Sequence, residues 1–404
     1  MDRPLCGLRV VDLTRALAGP FGSMALADLG ADVIKIEPTP DGDMIRRWGP
    51  FDRDASVYYL SANRNKRCLG LNFRSEQGMA VIKQMALQAD IVVENFKVGT
   101  MESMGLDFAA LSALNPRLIM ASISGFGSEG PAKNWPGFDQ IAQGYSGLMS
   151  VTGHPETGPT RVGVPIGDMT AGLWMTIGVL SAVVEREKTG KGQHVQTSLL
   201  SSLLSLLSVQ GQRYLSINEV PTPMGNAHPV IFPYGSFMTA DGPMNIAPAT
   251  TAMWENVCKL LALSHLVTDE RFLTNEDRVS HRDILQKEFD RALQTKGRAE
   301  WTDLFLLKGI PAGPINSVAD AMDDQQVQAM QMIESVHYPE LGEVKHVGLP
   351  LDMASVPKGQ SIYSPAPAFG EHSVSILRQF GWNQTQIDDM LSQGIVYQWN
   401  DNGP

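Results

Sequence analysis

The N-terminal half of the chain alternates short apolar runs with helical segments, and this alternation restricts the fold more than any other feature. Leu8–Leu13 and Ala31–Ile36 read as strands; between them Gly19-Pro20-Phe21-Gly22 reads as a turn and Ser23–Leu29 as a helix. Strand, helix and strand at this spacing form a βαβ unit, which requires parallel strands and a right-handed crossover. The pattern continues through helix Glu76–Gln88, strand Ile91–Glu94, helix Phe108–Leu114, strand Leu118–Ile123 and helix Asp139–Met149. Repeated units of this kind predict an α/β domain with a doubly wound, mostly parallel sheet. A nucleotide-binding reading of the first turn fails, because Ala18-Gly19-Pro20-Phe21-Gly22 lacks G-x-G-x-x-G and Pro20 has no N–H for a phosphate.

The stretch from Gly163 to Ser198 is the chemical focus. Gly163-Val164-Pro165-Ile166-Gly167-Asp168-Met169-Thr170-Ala171-Gly172 is a glycine-rich loop carrying one carboxylate. Ala171–Val184 follows as a helix, ended at Thr189-Gly190-Lys191-Gly192, and Gln193–Ser198 reads as a strand. The apolar run is too short to span a bilayer, so a buried core helix is expected. Asp168 at the loop-to-helix junction has two readings. As a helix cap it satisfies orphan N–H groups. As a nucleophile it uses the steric openness of its flanking glycines and the donors of the helix terminus.

Composition narrows the classes. A net charge of -11 over 404 residues argues against a general nucleic-acid binder. Cys6, Cys68 and Cys258 have neither metal-ligand spacing nor a disulfide pattern, so no metal site is expected and a reducing, cytoplasmic setting is. The first residues lack the apolar core of a secretory signal, and no membrane association is expected. Within this acidic chain, Asp41–Arg74 reads as a long connection dense in cations: Arg46, Arg47, Arg53, Arg64, Lys66, Arg67 and Arg74. Ordinary surface pairs are one explanation, and a phosphate clamp is the other. Leu199–Asn218 reads as a mostly apolar helix. The proline-rich segment from Val220 to Pro229 marks a domain boundary. Beyond it, strands at Val230–Thr239 and Pro243–Ala247 and helices at Ala252–Ala262, Arg282–Gln294 and Ala299–Leu307 predict a smaller α+β domain. The expected division is residues 1–219, 220–330 and 331–404.

The blocks Gly167-Asp168-Met169-Thr170-Ala171-Gly172 and Lys188-Thr189-Gly190-Lys191-Gly192-Gln193 resemble the central signature of the class III coenzyme A (CoA) transferases. Leu13-Thr14-Arg15-Ala16-Leu17-Ala18-Gly19-Pro20, Leu29-Gly30-Ala31-Asp32-Val33-Ile34-Lys35-Ile36-Glu37, Asn63-Arg64-Asn65-Lys66-Arg67, Val93-Glu94-Asn95-Phe96, Asn115-Pro116-Arg117-Leu118-Ile119 and Ser124-Gly125-Phe126-Gly127 resemble further family blocks, in the family's order. The resemblance implies a homodimer of chains interlocked like linked rings, in which residues 331–404 return to the large domain. It implies acyl-CoA and a small carboxylic acid as substrates, with no permanently bound cofactor, and Asp168 as the nucleophile. Succinyl-CoA is the implied donor, with glutarate, hydroxymethylglutarate or itaconate as acceptor.

By the same resemblance, Lys66, Arg67, Asn95, Phe96 and Met104 contact CoA. A family arginine is replaced here by Ser103, for which Lys97 can compensate. Phe138 and His228, with Tyr234, are the implied substrate-pocket residues. The related α-methylacyl-CoA racemases carry a histidine where Phe138 stands. A phenyl ring cannot move a proton, so transferase is favoured over this alternative. Asp139 beside it reads as a second helix cap. Oxalate-using members carry consecutive glycines in the small domain, and this chain has none there.

Overall fold

The computed structural model describes residues 3–399. Seven strands form the main sheet: β1 (Arg9–Asp12), β2 (Asp32–Pro38), β3 (Lys66–Leu71), β4 (Ile91–Glu94), β5 (Ile119–Ser124), β6 (His194–Ser198) and β7 (Val396–Tyr397). Their order is β7-β3-β2-β1-β4-β5-β6. All neighbours are parallel except β7, which runs antiparallel to β3. Strand residues alternate between two cores, as the period of two demands. Val10, Val33 and Ile91 face a layer containing Leu26, Ala171, Met175 and Val179. Val11, Ile34 and Val92 face Val81, Ile82 and Met85 together with Ile376, Leu377 and Ile387 from the C-terminal segment. Both faces are covered, so the sheet is doubly wound.

Three corrections to the sequence reading bear on the site. The first helix, α1, runs from Ala18 to Asp28 and absorbs the predicted turn. Pro20 is tolerated because its missing N–H falls in the first helical turn. The connection expected over Asp41–Arg74 holds a helix, Val57–Asn63, and strand β3, so Lys66 and Arg67 stand inside the sheet. The helix carrying Asp168, α3, spans Ile166–Thr189; α2 (Asp139–Tyr145) precedes it. At 24 residues and apolar, α3 is long enough to cross a membrane by length and composition, contrary to the shorter run read from sequence. Its inward residues Ala171, Met175, Val179 and Ala182 pack in the core of the sheet.

The α1 and α3 backbones meet at two glycines. A Cβ at Gly172 would lie 2.6 Å from the Ala18 carbonyl oxygen, and one at Gly22 would lie 2.6 Å from the Gly172 carbonyl oxygen. Thr176 Oγ1 donates to the Gly22 carbonyl at 3.1 Å across the same crossing. The glycines of these two sequence blocks therefore serve close helix packing.

The chain divides into two compact units. The larger comprises residues up to Leu148, Arg161–Glu219 and the chain from Gln325 onward; the smaller comprises Met149–Thr160 and Val220–Asp324. The division falls after residue 219 and returns at 325, where the expected bound was 331, and residues 149–160 join the smaller unit. That unit is α+β: antiparallel strands Gly235–Thr239, Gly242–Ile246 and Ala312–Pro314 surround a core of Phe237, Trp254, Phe289 and Phe305 with three helices.

Candidate active site

The strand order places β1 and β4 side by side, while the chain leaves β1 toward β2 and β3 before returning to β4. This is a topological switch point, and ligands of open α/β sheets lie outside the carboxyl ends of the strands there. Arg15 follows β1 and Asn95-Phe96 follows β4. Asn95 ties the two loops together: its Oδ1 accepts from the Arg15 N–H at 2.8 Å and its Nδ2 donates to the Arg15 carbonyl at 2.8 Å. The Arg15 guanidinium lies 4.9 Å from the centre of the Phe96 ring. Arg15 is exposed, and among the described residues no carboxylate lies within ion-pair distance of it. Sequence reasoning quoted this arginine inside a family block but gave it no role. Its position immediately after the first strand was the available signal.

Beside Phe96, a cavity of about 630 Å³ runs along β5 and the edge strand β6 to the carboxyl ends of β4, β5 and β6. Phe96, Lys97, Met101 and Phe108 line one side, and Glu94, Ser122 and His194 contribute polar groups. Ser122 Oγ and His194 Nε2 are 2.9 Å apart, and Phe108 stacks on the imidazole. Burial pushes the Glu94 carboxyl above its ordinary range and His194 below its own. Met104 caps the short helix Thr100–Ser103 and packs half-buried against the core.

Lys66 and Arg67 do not form a phosphate clamp in this fold. Lys66 is fully buried, and its three donors go to Asp12 Oδ2 at 3.2 Å, the Pro20 carbonyl at 2.9 Å and Asn63 Oδ1 at 3.0 Å. An ammonium has three N–H groups, so none remains for a ligand. Arg67 makes a fork to Asp32 at 2.9 and 2.7 Å and reaches Gln379 at 2.7 Å. Two other cations of this region are spent similarly. Arg46 binds Glu37 through two hydrogen bonds of 2.7 and 2.8 Å, and this pairing holds the Glu37 carboxyl down at about 2. Arg64 pairs with Asp28 at 2.7 Å.

Asp168 behaves differently from these acids. Helix α3 is the crossover between β5 and β6, so its N-terminus lies over the carboxyl edge of the sheet. The N-cap is Pro165, and no side chain caps the helix. Asp168 lies in the first turn, half-buried, and its carboxylate makes no hydrogen bond or ion pair with the described residues. The cap reading therefore fails. Burial, with the negative charge of Asp139 added, pushes its carboxyl up to about 7. Phe138 is 57% exposed at the N-cap of α2. His228 lies in the smaller unit, where its ring meets that of Tyr234 at a tilt of 51° with centroids 4.8 Å apart, and its Nδ1 accepts from the Val230 N–H at 3.2 Å.

An uncommitted basic carboxylate at the edge of a doubly wound sheet suits covalent acyl chemistry, and comparison with known proteins agrees on the class. The family model of CoA-transferase family III matches residues 5–373. This chain belongs to that family and is a CoA-transferase. It is 35% identical over 398 residues to succinyl-CoA:glutarate CoA-transferase of Mus musculus, covering 98% of this chain and 91% of that protein. It is 38% identical over 331 residues to acetyl-CoA:oxalate CoA-transferase of Acetobacter aceti, covering 82% and 85%. A CAIB/BAIF family protein from Brucella suis has a solved structure that superposes with a TM-score of 0.85 at 37% identity, covering 94% of this chain and 100% of that one.

Proposed function

We propose that the enzyme moves CoA from succinyl-CoA to a small dicarboxylate through covalent intermediates on Asp168. The observation that carries this reading is the unpartnered, partly desolvated carboxylate of Asp168 at the carboxyl edge of the sheet. Direct exchange of a thioester between two acids is slow, and a protein carboxylate divides it into easier steps. The Asp168 carboxylate attacks the donor thioester carbonyl, the C–S bond breaks, and CoA leaves as thiolate from a mixed anhydride. The thiolate attacks the aspartyl carbonyl, releasing the donor acid and leaving an aspartyl-CoA thioester. The acceptor carboxylate attacks that thioester and expels the thiolate. The thiolate then takes the acceptor acyl group, restoring Asp168. No proton is gained or lost over the cycle.

The relative named for glutarate aligns over nearly the whole chain, and the relative named for oxalate over less of it, which favours a dicarboxylate longer than oxalate as acceptor. Arg15 and Lys97, both exposed near Phe96, supply cations for the phosphates of CoA in place of the missing family arginine. An outward stripe of Leu173, Ile177 and Val184 on α3 supports a homodimer, and three unpaired cysteines support a cytoplasmic setting. The deciding experiment pairs two measurements. Succinyl-CoA with hydroxylamine should convert Asp168 to its hydroxamate, a mass change confined to the peptide holding Gly167-Asp168-Met169. A panel of carboxylic acids then identifies the acceptor by mass spectrometry. A folded Asp168→Asn enzyme with near-normal turnover would sink the mechanism.

A further inference from the structure

Asp139 stands at the start of α2, yet its carboxylate serves another segment. Its Oδ1 accepts from the Gly167 N–H at 2.7 Å, and its Oδ2 accepts from Gln143 Nε2 at 2.7 Å. Gln143 is fully buried, and its Oε1 accepts from the Val162 N–H at 2.9 Å. Two side chains of one helix thus hold both ends of the loop that delivers Asp168. The fit is close, since a Cβ at Gly167 would lie 2.9 Å from Asp139 Oδ1 and 3.0 Å from Leu203 Cδ1.

A neutral amide would satisfy the Gly167 N–H equally well, so the charge of Asp139 calls for its own explanation. It faces Asp168, one residue beyond the amide it holds. Little offsets it from the surrounding elements. Helix α1 carries only Asp28, which is paired with Arg64, and the helix Leu199–Leu206 carries no ionisable residue.

We propose that Asp139 is the positioning residue of the transfer reaction: it fixes the first turn of α3, and its charge drives Asp168 toward acylation. This rests on the reading that Asp168 is the nucleophile. Two like charges close together in a partly desolvated site repel. A carboxylate so destabilised is more basic and more nucleophilic. Acylation of Asp168 removes its charge, so the repulsion is relieved in both the anhydride and the thioester. Burial raises the Asp168 carboxyl in the resting state, and the same repulsion from Asp139 adds to it.

The test compares the parent enzyme with Asp139→Asn, following the rate of hydroxamate formation at Asp168 against pH. The substitution keeps an acceptor for Gly167 and loses the charge. The acid limb of the profile should move down by about one pH unit, because a neighbouring charge of this kind shifts a carboxyl by that order. The plateau rate should fall severalfold, because the less basic carboxylate is the weaker nucleophile. The introduced amide presents an N–H to Gln143, so Asp139→Asn with Gln143→Glu is the companion variant. Its new carboxylate can accept from both that amide and the Val162 N–H, which keeps the loop held if the single variant misfolds; the charge is moved to residue 143 rather than removed, so its acid limb should move down by less than in the single variant. An acid limb unchanged in the folded variant, with the hydroxamate still forming, overturns the role of Asp139 alone. Absence of any hydroxamate at Asp168 in the parent overturns the nucleophile, and Asp139 with it.

Discussion

At the residue scale, side chains tied into the fold are distinguishable from those left free, and the two groups give opposite predictions. Lys66→Ala leaves Asp12 buried without its ammonium, although Ser23 still donates to it at 2.6 Å. Breaking one side of a buried pair costs about 3–5 kcal/mol. Denaturant unfolding should show that loss, with CoA affinity unchanged in whatever fraction remains folded. Arg15→Ala should leave stability near the parent and raise the KM for acyl-CoA. A charge-assisted contact contributes about 1.5–3 kcal/mol, less where solvent screens it. An unaltered KM places the phosphates elsewhere. Asp168 gives a third signature. Its folded carboxyl lies near 7, above the ordinary value near 4 of an unfolded chain, so the native state holds the extra proton between those values. Stability from this group is full at low pH and falls as pH rises from about 4 to 7. Asp168→Asn removes that loss. The variant should therefore melt higher than the parent at pH 8 and nearly level with it at pH 4, while transfer falls by orders of magnitude. None of this was legible from composition. The cation-dense segment looked like a clamp because its acidic partners, Asp12, Asp28 and Asp32, lie far away in sequence and only the parallel sheet and helix α1 bring them near.

At the element scale, what was legible followed periodicity, and what was missed depended on a neighbour. Strands Ile91–Glu94 and Ile119–Ser124 and helix Glu76–Leu87 fall within a residue or so of their expected bounds, because their apolar runs are buried regardless of partner. Strand β3 was hidden because it begins with two charges whose partners are tertiary. Only the start of helix α1 reads as a turn, because Gly19, Pro20 and Gly22 are poor helix formers in isolation. Gly22 is required there by the approach of α3, which no local pattern announces. The same approach yields a prediction. Gly172→Val forces the α1–α3 crossing apart, because a Cβ already meets the Ala18 carbonyl oxygen at 2.6 Å. Overpacking of this kind costs about 1–3 kcal/mol or more. Thermal unfolding should report it. Because the crossing lies one turn beyond Asp168, the rate of hydroxamate formation should fall at temperatures where the variant is still folded.

At the scale of the whole molecule, two units could be anticipated from the proline-rich segment after residue 219, but the short excursion of Met149–Thr160 into the smaller unit could not. It is joined there by backbone pairing, the Gly225 N–H donating to the Gly153 carbonyl at 2.8 Å, which leaves no sequence mark. The larger unit also exposes more apolar helix surface than its own packing uses. Helix α3 has two apolar stripes. The inward one fills the core, and the outward one places Leu173, Ile177 and Val184 at spacings of four and seven, with Leu180 half-buried between the two stripes. Leu173, Ile177 and Val184 are 49, 51 and 59% exposed. That spacing is the seam along which one helix packs on another, and single exposed apolar residues would not have produced it. If the seam is where two copies meet, Ile177→Glu with Val184→Glu should halve the mass measured by sedimentation at micromolar concentration. Both side chains point away from the core, so the far-ultraviolet spectrum should be retained. A parent enzyme that already sediments at 44.0 kDa, or a variant whose mass stays doubled, removes the seam from the assembly and assigns its apolar surface to another contact.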